Sequence, residues 1–145
     1  MSVLVDTNVL LRRAQPSHPS HGSAVQSVAK LMARNTPVYF TPQIAIEFWS
    51  VATRPASQNG LGLSREIVLA ELATIEELLT LLPDSPAIFH EWKRLVALHR
   101  VVGARVHDAR LAAVANVYGV KCILTFNAAD FARFENLAIL DPSKI

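Results

Sequence analysis

The fold of this chain is decided by residues 107–134, which read HDARLAAVANVYGVKCILTFNAADFARF. Asp108 begins an alanine-rich apolar segment that predicts a buried helix, and Gly119 is placed to end it. The short apolar run at 121–125 predicts a buried strand. Asp130 follows soon after that strand. Because a helix start and a strand end can share one edge of a parallel sheet, the segment brings two carboxylates to that edge.

Four other short apolar runs fit strands, and helical patterns separate them. These predicted strands are residues 3–5, 38–40, 80–82 and 137–140. Strands that alternate with helices indicate a parallel sheet covered on both faces. We therefore expect a three-layer α/β/α arrangement around a central parallel sheet of about five strands. The length of 145 residues fits one domain over 1–145 with a proper core.

Two predicted helices carry apolar faces that the structure can test. The first follows Gly22 or Ser23, and its face is Val25, Val28, Ala29 and Met32. The second covers about residues 87–100, and its pattern contains Phe89, Trp92, Leu95, Val96 and His99. Both faces are expected to pack against the sheet.

Composition excludes several classes of protein. The net charge is only +2, so bulk charge gives no sign of nucleic-acid binding. The single cysteine, Cys122, excludes an internal disulfide and fits a buried apolar position. No secretory signal and no apolar stretch of transmembrane length is present. A cytoplasmic protein without membrane contact is expected.

Four acidic residues flank predicted strands or helices. Asp6 directly follows the first strand, Glu47 lies in the helix after the second, and Asp108 and Asp130 bracket the fourth. Each aspartate could instead be a helix cap. Glu47 could lie on the exposed face of an amphipathic helix, although it interrupts an apolar sequence. Since ligands of α/β sheets bind beyond the carboxyl ends of the strands, the four acids could also form one site.

A cluster of carboxylates has a specific chemical meaning. The negative charges repel and raise one another's pKa values, so a fold keeps such a cluster when a divalent cation neutralises it. Oxygen ligands alone favour Mg²⁺ or Mn²⁺ over Zn²⁺. A hard cation held by acids suits phosphoryl chemistry, because it activates water and stabilises charge on the phosphate oxygens.

Four segments of the chain resemble the acidic motifs of PIN domains, and most closely those of the VapC toxins of bacterial toxin–antitoxin pairs. They are DTNVLL at 6–11, Glu47 in a helix, HDARLAA at 107–113 and LTFNAADF at 124–131. The resemblance covers nearly the whole chain in order. It implies an α/β/α fold and a ribonuclease that depends on Mg²⁺ or Mn²⁺.

The resemblance also implies roles for individual residues and for partners. Asp6 and Asp108 would be the metal ligands, Glu47 would ligate the metal or position water, and Asp130 would complete the acidic quartet. Polar groups that support the acids or face the substrate would be Thr7, Asn8, Thr125 and Asn127. The expected partners are an RNA substrate, a cognate antitoxin and a second copy of the chain in a homodimer.

Other functions fit less well. Phosphatases of the haloacid-dehalogenase type need an acid two residues after the first aspartate, and here that residue is Asn8. A structure-specific DNA nuclease would need larger insertions than the chain has room for. A catalytically idle PIN-like module that binds RNA or protein remains as the alternative. Four arginines near the acidic motifs could hold the RNA backbone or form surface salt bridges, and these are Arg12, Arg13, Arg110 and Arg133.

Overall fold

A computed structural model describes all residues 1–145 and contains five strands and six α-helices. The strands are β1 Val3–Val5, β2 Val38–Phe40, β3 Thr80–Leu81, β4 Cys122–Leu124 and β5 Ala138–Leu140. The helices are α1 Thr7–Arg13, α2 His21–Ala33, α3 Pro42–Thr53, α4 Arg65–Leu78, α5 Pro86–Leu98 and α6 Val106–Tyr118. Short 3₁₀ turns lie at Ala56–Gln58, Gly103–Arg105, Ala128–Asp130 and Pro142–Lys144.

All five strands are parallel and form one sheet in the order β3-β2-β1-β4-β5. The central strand β1 pairs with β2 on one side and β4 on the other, and Leu4 lies opposite both Tyr39 and Ile123. Side chains of β1 alternate between the faces of the sheet, yet Val3, Leu4 and Val5 are all fully buried. Both faces are therefore covered, which confirms the three-layer α/β/α prediction.

Local sequence signals explain where the helices begin and end. Thr41 caps α3 by accepting a hydrogen bond from the Ile44 backbone N–H at 3.2 Å, with Pro42 at the first helical position. Ser64 caps α4 in the same way. Gly119 ends α6 with a φ of +70°, a left-handed conformation that favours glycine.

The α2 prediction is partly wrong. The helix begins at His21, and its buried residues are Ala24, Ser27, Val28 and Leu31. Ala29 and Met32, which were expected on the buried face, are exposed. The two alternative faces are shifted by one residue and both have helical spacing, so periodicity alone does not separate them. The structure places the branched Leu31 in the core and leaves the flexible Met32 outside.

The α5 and α6 predictions also need correction. Phe89 was expected to be buried but is 56% exposed, while Ile88 and Leu95 are the buried residues of α5. Helix α6 begins at Val106, two residues before the predicted start at Asp108. Asp108 thus lies in the first turn of the helix and does not precede it.

The apolar core is one continuous cluster that includes the strands and the inner faces of the helices. Cys122 is a buried free thiol within this cluster, as the sequence predicts. None of the helices combines the length and the hydrophobicity needed to cross a membrane.

Candidate active site

The four acids that the sequence predicts for the site lie at the carboxyl edge of the sheet. Asp6 follows β1, and Asp130 ends the 3₁₀ turn after β4. Glu47 lies on α3 and Asp108 in the first turn of α6. The charges of Glu47 and Asp108 raise the pKa of Asp6, and those of Asp130 and Glu47 raise the pKa of Asp108. Each of the four carboxylates therefore lies within electrostatic reach of at least one other.

Asp6 is the most buried of the acids and is only 9% exposed. Its Oδ1 accepts a hydrogen bond from the Thr7 backbone N–H at 2.8 Å, which caps α1. Its Oδ2 accepts from the Thr125 hydroxyl at 2.8 Å and from the Asn8 amide at 3.1 Å. The cap reading of Asp6 is thus correct, but only one of its two oxygens serves the cap.

Burial raises the pKa of Asp6 to about 6, well above its ordinary value of 3.8. The hydrogen bonds from Thr125 and Thr7 lower the pKa and offset part of this effect. The negative charges of Glu47 and Asp108 raise it further. A buried carboxylate with acidic neighbours has a high affinity for any cation, whether a proton or a metal ion.

Glu47 is half-buried, and both of its carboxylate oxygens are hydrogen-bonded. Its Oε2 accepts from the Thr7 hydroxyl at 2.9 Å, and its Oε1 accepts from the Gln43 amide at 2.8 Å. The alternative of an exposed helix face does not hold for this residue. Thr7 therefore contacts two acids, Asp6 through its backbone and Glu47 through its hydroxyl.

Asp108 and Asp130 share one cation, the guanidinium of Arg105. Arg105 pairs with Asp108 at 3.3 Å and also contacts Asp130. Burial raises the pKa of Asp108, the hydrogen bond from Arg105 lowers it, and the charge of Asp130 raises it. Neither aspartate caps an α-helix, because the residue before α6 is Arg105 and Asp130 ends a 3₁₀ turn. The cap alternative fails for both.

The predicted polar residues hold the β1 and β4 ends together. Thr125 is 1% exposed, and its hydroxyl accepts from the Asn8 amide at 3.1 Å and from the Asn127 backbone N–H at 2.9 Å. The side-chain oxygen Oδ1 of Asn8 accepts from the Phe126 backbone N–H at 3.2 Å. Asn127 itself is exposed and contributes to this network through its backbone. Thr7, Asn8 and Thr125 thus contact the acids directly.

Two residues of the site were missed from the sequence. Gln43 contacts Glu47, and Arg105 contacts Asp108 and Asp130. A signal for each was available in the spacing, because Gln43 precedes Glu47 by four residues and Arg105 precedes Asp108 by three. Side chains at these separations on a helix lie on one face. Neither spacing distinguishes a site contact from an ordinary surface pair.

The four arginines near the acidic motifs, which could hold the RNA backbone or form salt bridges, behave differently from one another. Arg110 forms an ion pair with Asp84 at 3.0 Å, which favours the salt-bridge alternative for that residue. Arg12 donates to the Gln15 side chain at 2.6 Å. Arg13 and Arg133 form no ion pair in the structure. A role in RNA binding stays a prediction for these three.

The donor chemistry of the site fits a hard divalent cation. No three acidic, histidine or cysteine side chains converge closely enough to hold a metal ion directly. Hydrogen bonds fix Asp6 and Glu47, and Arg105 draws together Asp108 and Asp130. Mg²⁺ commonly uses one or two carboxylates and keeps several waters, so separated carboxylates on one edge suit it. The exclusively oxygen-based donors disfavour Zn²⁺.

Comparison with solved structures gives close matches in fold. VapBC-1 of nontypeable Haemophilus influenzae matches with a TM-score of 0.71 and 16% identity, over 99% of this chain and 100% of that chain. The sarcin–ricin loop cleaving toxin VapC20 of Mycobacterium tuberculosis matches at 0.65 and 19%, over 90% and 94%. A toxin–antitoxin complex of Klebsiella pneumoniae matches at 0.65 and 19%, over 99% and 100%. At these identities the likeness establishes the fold.

Sequence comparison supplies the family. No curated protein matches the chain. The sequence does match the PIN domain family model over residues 3–137, which include β1 through β4 and all four acids. Because the match extends over nearly all of the chain, the chain belongs to the PIN domain family.

Proposed function

We propose that this chain is an endoribonuclease that depends on Mg²⁺ or Mn²⁺ and acts as the VapC-type toxin of a toxin–antitoxin pair. The observation that carries the proposal is the placement of Asp6, Glu47, Asp108 and Asp130 along one edge of the sheet in a PIN-family chain. The fold neighbour VapC20, which cleaves the sarcin–ricin loop, supports RNA as the substrate class.

Each acid has a distinct proposed task. Asp6 and Asp108 hold the metal, since the negative charge of Asp108 raises the pKa of the buried Asp6 and a cation between them would relieve that repulsion. Glu47 ligates the metal or positions its bound water, and both of its oxygens are fixed by donors. Asp130 completes the negative site from the β4 side. A bound divalent cation supplies neutralisation of charge and lowers the pKa of water at the reacting phosphate.

The proposal is tested by RNA cleavage with and without the acids. We expect the purified chain to cut RNA with Mg²⁺ or Mn²⁺ and to stop when EDTA is added. Asp6→Ala and Asp108→Ala should each abolish cleavage while circular dichroism shows an intact fold. Arg110→Ala is the matched control, because Arg110 lies on α6 but pairs with Asp84 outside the acidic cluster. Cleavage retained by either acid variant would refute the mechanism.

The alternative of an idle RNA- or protein-binding module makes a different prediction. Such a module has no need for a divalent cation. Calorimetric titration with Mn²⁺ therefore separates the two functions, since the nuclease should bind the ion and the idle module should not. The full set of four acids, held by specific donors, favours the nuclease.

The proposed protein partners are an antitoxin and a second copy of the chain. Exposed apolar side chains lie on three adjacent elements, α3, α4 and the edge strand β3, and these are Ile46, Ile67, Leu69 and Leu81. An apolar groove there has a volume of about 330 Å³ and is lined by Phe40, Pro42 and Leu72, among others. Exposed apolar surface of this kind is typical of protein–protein contacts.

Two measurements test these partners. Light scattering of the purified chain should give the mass of a dimer. Co-expression with the protein encoded beside it should yield a complex that no longer cuts RNA. A monomeric mass would refute the proposed dimer. A co-expressed protein that leaves RNA cleavage unchanged would refute the proposed antitoxin.

A further inference from the structure

We propose that Gln43 is a positioning residue of the acidic site, which ties Glu47 to the start of α6 and so sets its place beside Asp108. The inference rests on the proposed function, in which Glu47 and Asp108 work on one divalent cation. Gln43 is the second residue of α3 and is only 5% exposed, although glutamine is usually a surface residue.

The contacts of Gln43 join two elements that are distant in sequence. Its Nε2 donates to Glu47 Oε1 at 2.8 Å and to the backbone carbonyl of His107 at 2.9 Å. Glu47 is one turn along the same helix, whereas His107 belongs to the first turn of α6 and directly precedes Asp108. One amide group therefore links Glu47 on α3 to the backbone at the start of α6.

Gln43 also keeps a polar atom in an unfavourable place. Its Oε1 is buried and has no hydrogen-bond partner. Turning the amide over would not help, because Oε1 would then face a carboxylate oxygen and a carbonyl oxygen, both of which only accept. An unpartnered buried oxygen costs stability and offsets part of what the two donor contacts of Nε2 contribute. The fold keeps this oxygen for an amide whose donor group contacts a site acid, which favours a role in the acidic site.

The two oxygens of Glu47 accept hydrogen bonds from side chains on two different helices. Gln43 of α3 holds Oε1, and Thr7 of α1 holds Oε2. Two fixed oxygens determine the plane of the carboxylate as well as its position. Loss of the Gln43 amide frees one oxygen and leaves the carboxylate able to rotate. The expected result is weaker metal binding with little effect on binding of RNA phosphates.

The test uses Gln43→Met, which keeps the side-chain length but removes both donor contacts and the unpartnered oxygen. We expect Mn²⁺ affinity, measured by calorimetry without RNA, to fall by about 10- to 100-fold, the range for residues that support metal ligands. The midpoint of thermal unfolding without metal should change little, because removal of the unpartnered oxygen offsets the loss of the two donor contacts. In cleavage assays kcat should fall while KM for RNA stays unchanged. Gln26→Met, at an exposed position of α2, is the control and should change none of these.

A double-mutant cycle tests whether Gln43 acts through Glu47. In a Glu47→Ala background, Gln43→Met should cause no further loss of Mn²⁺ affinity. An undiminished loss in that background would overturn the inference. Gln43→Leu provides a second packing solution should Gln43→Met not fold, and wild-type Mn²⁺ affinity in either folded variant would also overturn it.

The failures of the two proposals are distinguishable. A wild-type chain that binds no Mn²⁺ would refute the proposed function and this inference with it. A wild-type chain that binds Mn²⁺ no better than folded Gln43→Met would refute the inference alone. A parallel loss of unfolding midpoint and Mn²⁺ affinity in both Gln43 variants would assign Gln43 to the fold and not to the site.

Discussion

The acidic site has two halves that manage negative charge in different ways. The inner half is Asp6 and Glu47, whose carboxylates accept hydrogen bonds from the neutral side chains of Thr7, Gln43 and Thr125. A metal ion does not need to displace these donors. A carboxylate oxygen has more than one lone pair, so it can accept a hydrogen bond and bind the ion at the same time. The inner half is therefore fixed before any ligand arrives.

The outer half is Asp108 and Asp130, joined by the guanidinium of Arg105. This cation is on a side chain that is 55% exposed, in a short turn that precedes α6. A guanidinium carries a full charge, so it competes with a divalent cation for the same carboxylates. The inner half of the site therefore has a fixed geometry, whereas the outer half must exchange Arg105 for the divalent cation.

The largest expected difference between the halves is in activity. Asp6→Asn should reduce RNA cleavage to background, because Asp6 is the only carboxylate at the point where the ends of β1 and β4 meet. Asp130→Asn should cost about 10- to 100-fold, as expected for a group that supports the metal through water. Initial rates at saturating Mn²⁺ measure both. Equal losses in the two variants would remove the distinction between the halves.

The second difference is in the pH dependence of stability. Between pH 4 and 6 the folded chain keeps a proton on Asp6 that the unfolded chain has lost, because the folded pKa is about 6 against 3.8. Raising the pH through this window therefore destabilises the fold. The shift corresponds to about 3 kcal/mol in the free energy of unfolding.

Denaturant titrations in EDTA test this pH effect. Wild-type stability should decline relative to that of Asp6→Asn as the pH rises from 4 to 7, since asparagine has no such proton. Added Mn²⁺ should restore wild-type stability at pH 7 and leave the variant unchanged. Parallel pH profiles for the two proteins would show that Asp6 is not desolvated.

A third test concerns the donors of the inner half. Thr125→Val should lower the free energy of unfolding by about 1 to 3 kcal/mol, because Asn8 and the Asn127 N–H lose their acceptor. The pKa of Asp6 should also rise, since the Thr125 hydrogen bond lowers it. Denaturation followed at several pH values measures both effects. An unchanged free energy of unfolding would show that the hydrogen bonds of Thr125 do not stabilise the inner half.

The smallest effect on stability belongs to the outer half. Arg105→Met should leave the free energy of unfolding nearly unchanged, because the ion pairs are solvent-exposed. Mn²⁺ should bind a few-fold more tightly, since no guanidinium competes. Calorimetry provides the measurement, with Arg94→Met as the control because Arg94 pairs with Glu91 on α5. Weaker Mn²⁺ binding would mean that Arg105 supports the site and does not compete.

The fold could be predicted because parallel strands leave strong local signals. Runs such as Val3–Val5 are apolar at every position since both faces are covered, and Pro42 and Gly119 mark helix boundaries. Periodicity was insufficient where two faces compete. In α2 the apolar residues occupy more than one face, and in the structure Leu31 is buried whereas Met32 is exposed.

The positions of the four acids in the fold could be predicted, whereas the side chains that contact them could not. A carboxylate after a buried strand has a position that follows from sheet topology, so Asp6 and Asp130 were placed at the correct edge. The partners of a carboxylate depend on how separate helices approach each other. The contact of Gln43 with the His107 carbonyl joins residues 64 apart, and no local pattern encodes it.

The pairing of β1 with β4 has a consequence for synthesis. The Thr125 hydroxyl that holds Asp6 is made 119 residues after it. At ordinary translation speeds of about 5 to 20 residues per second, that interval is roughly 6 to 24 s. During this time the nascent chain has Asp6 but lacks the Thr125 that locks it, and the central strand lacks one neighbour. The acidic site is therefore incomplete on the ribosome until β4 and Thr125 have been translated.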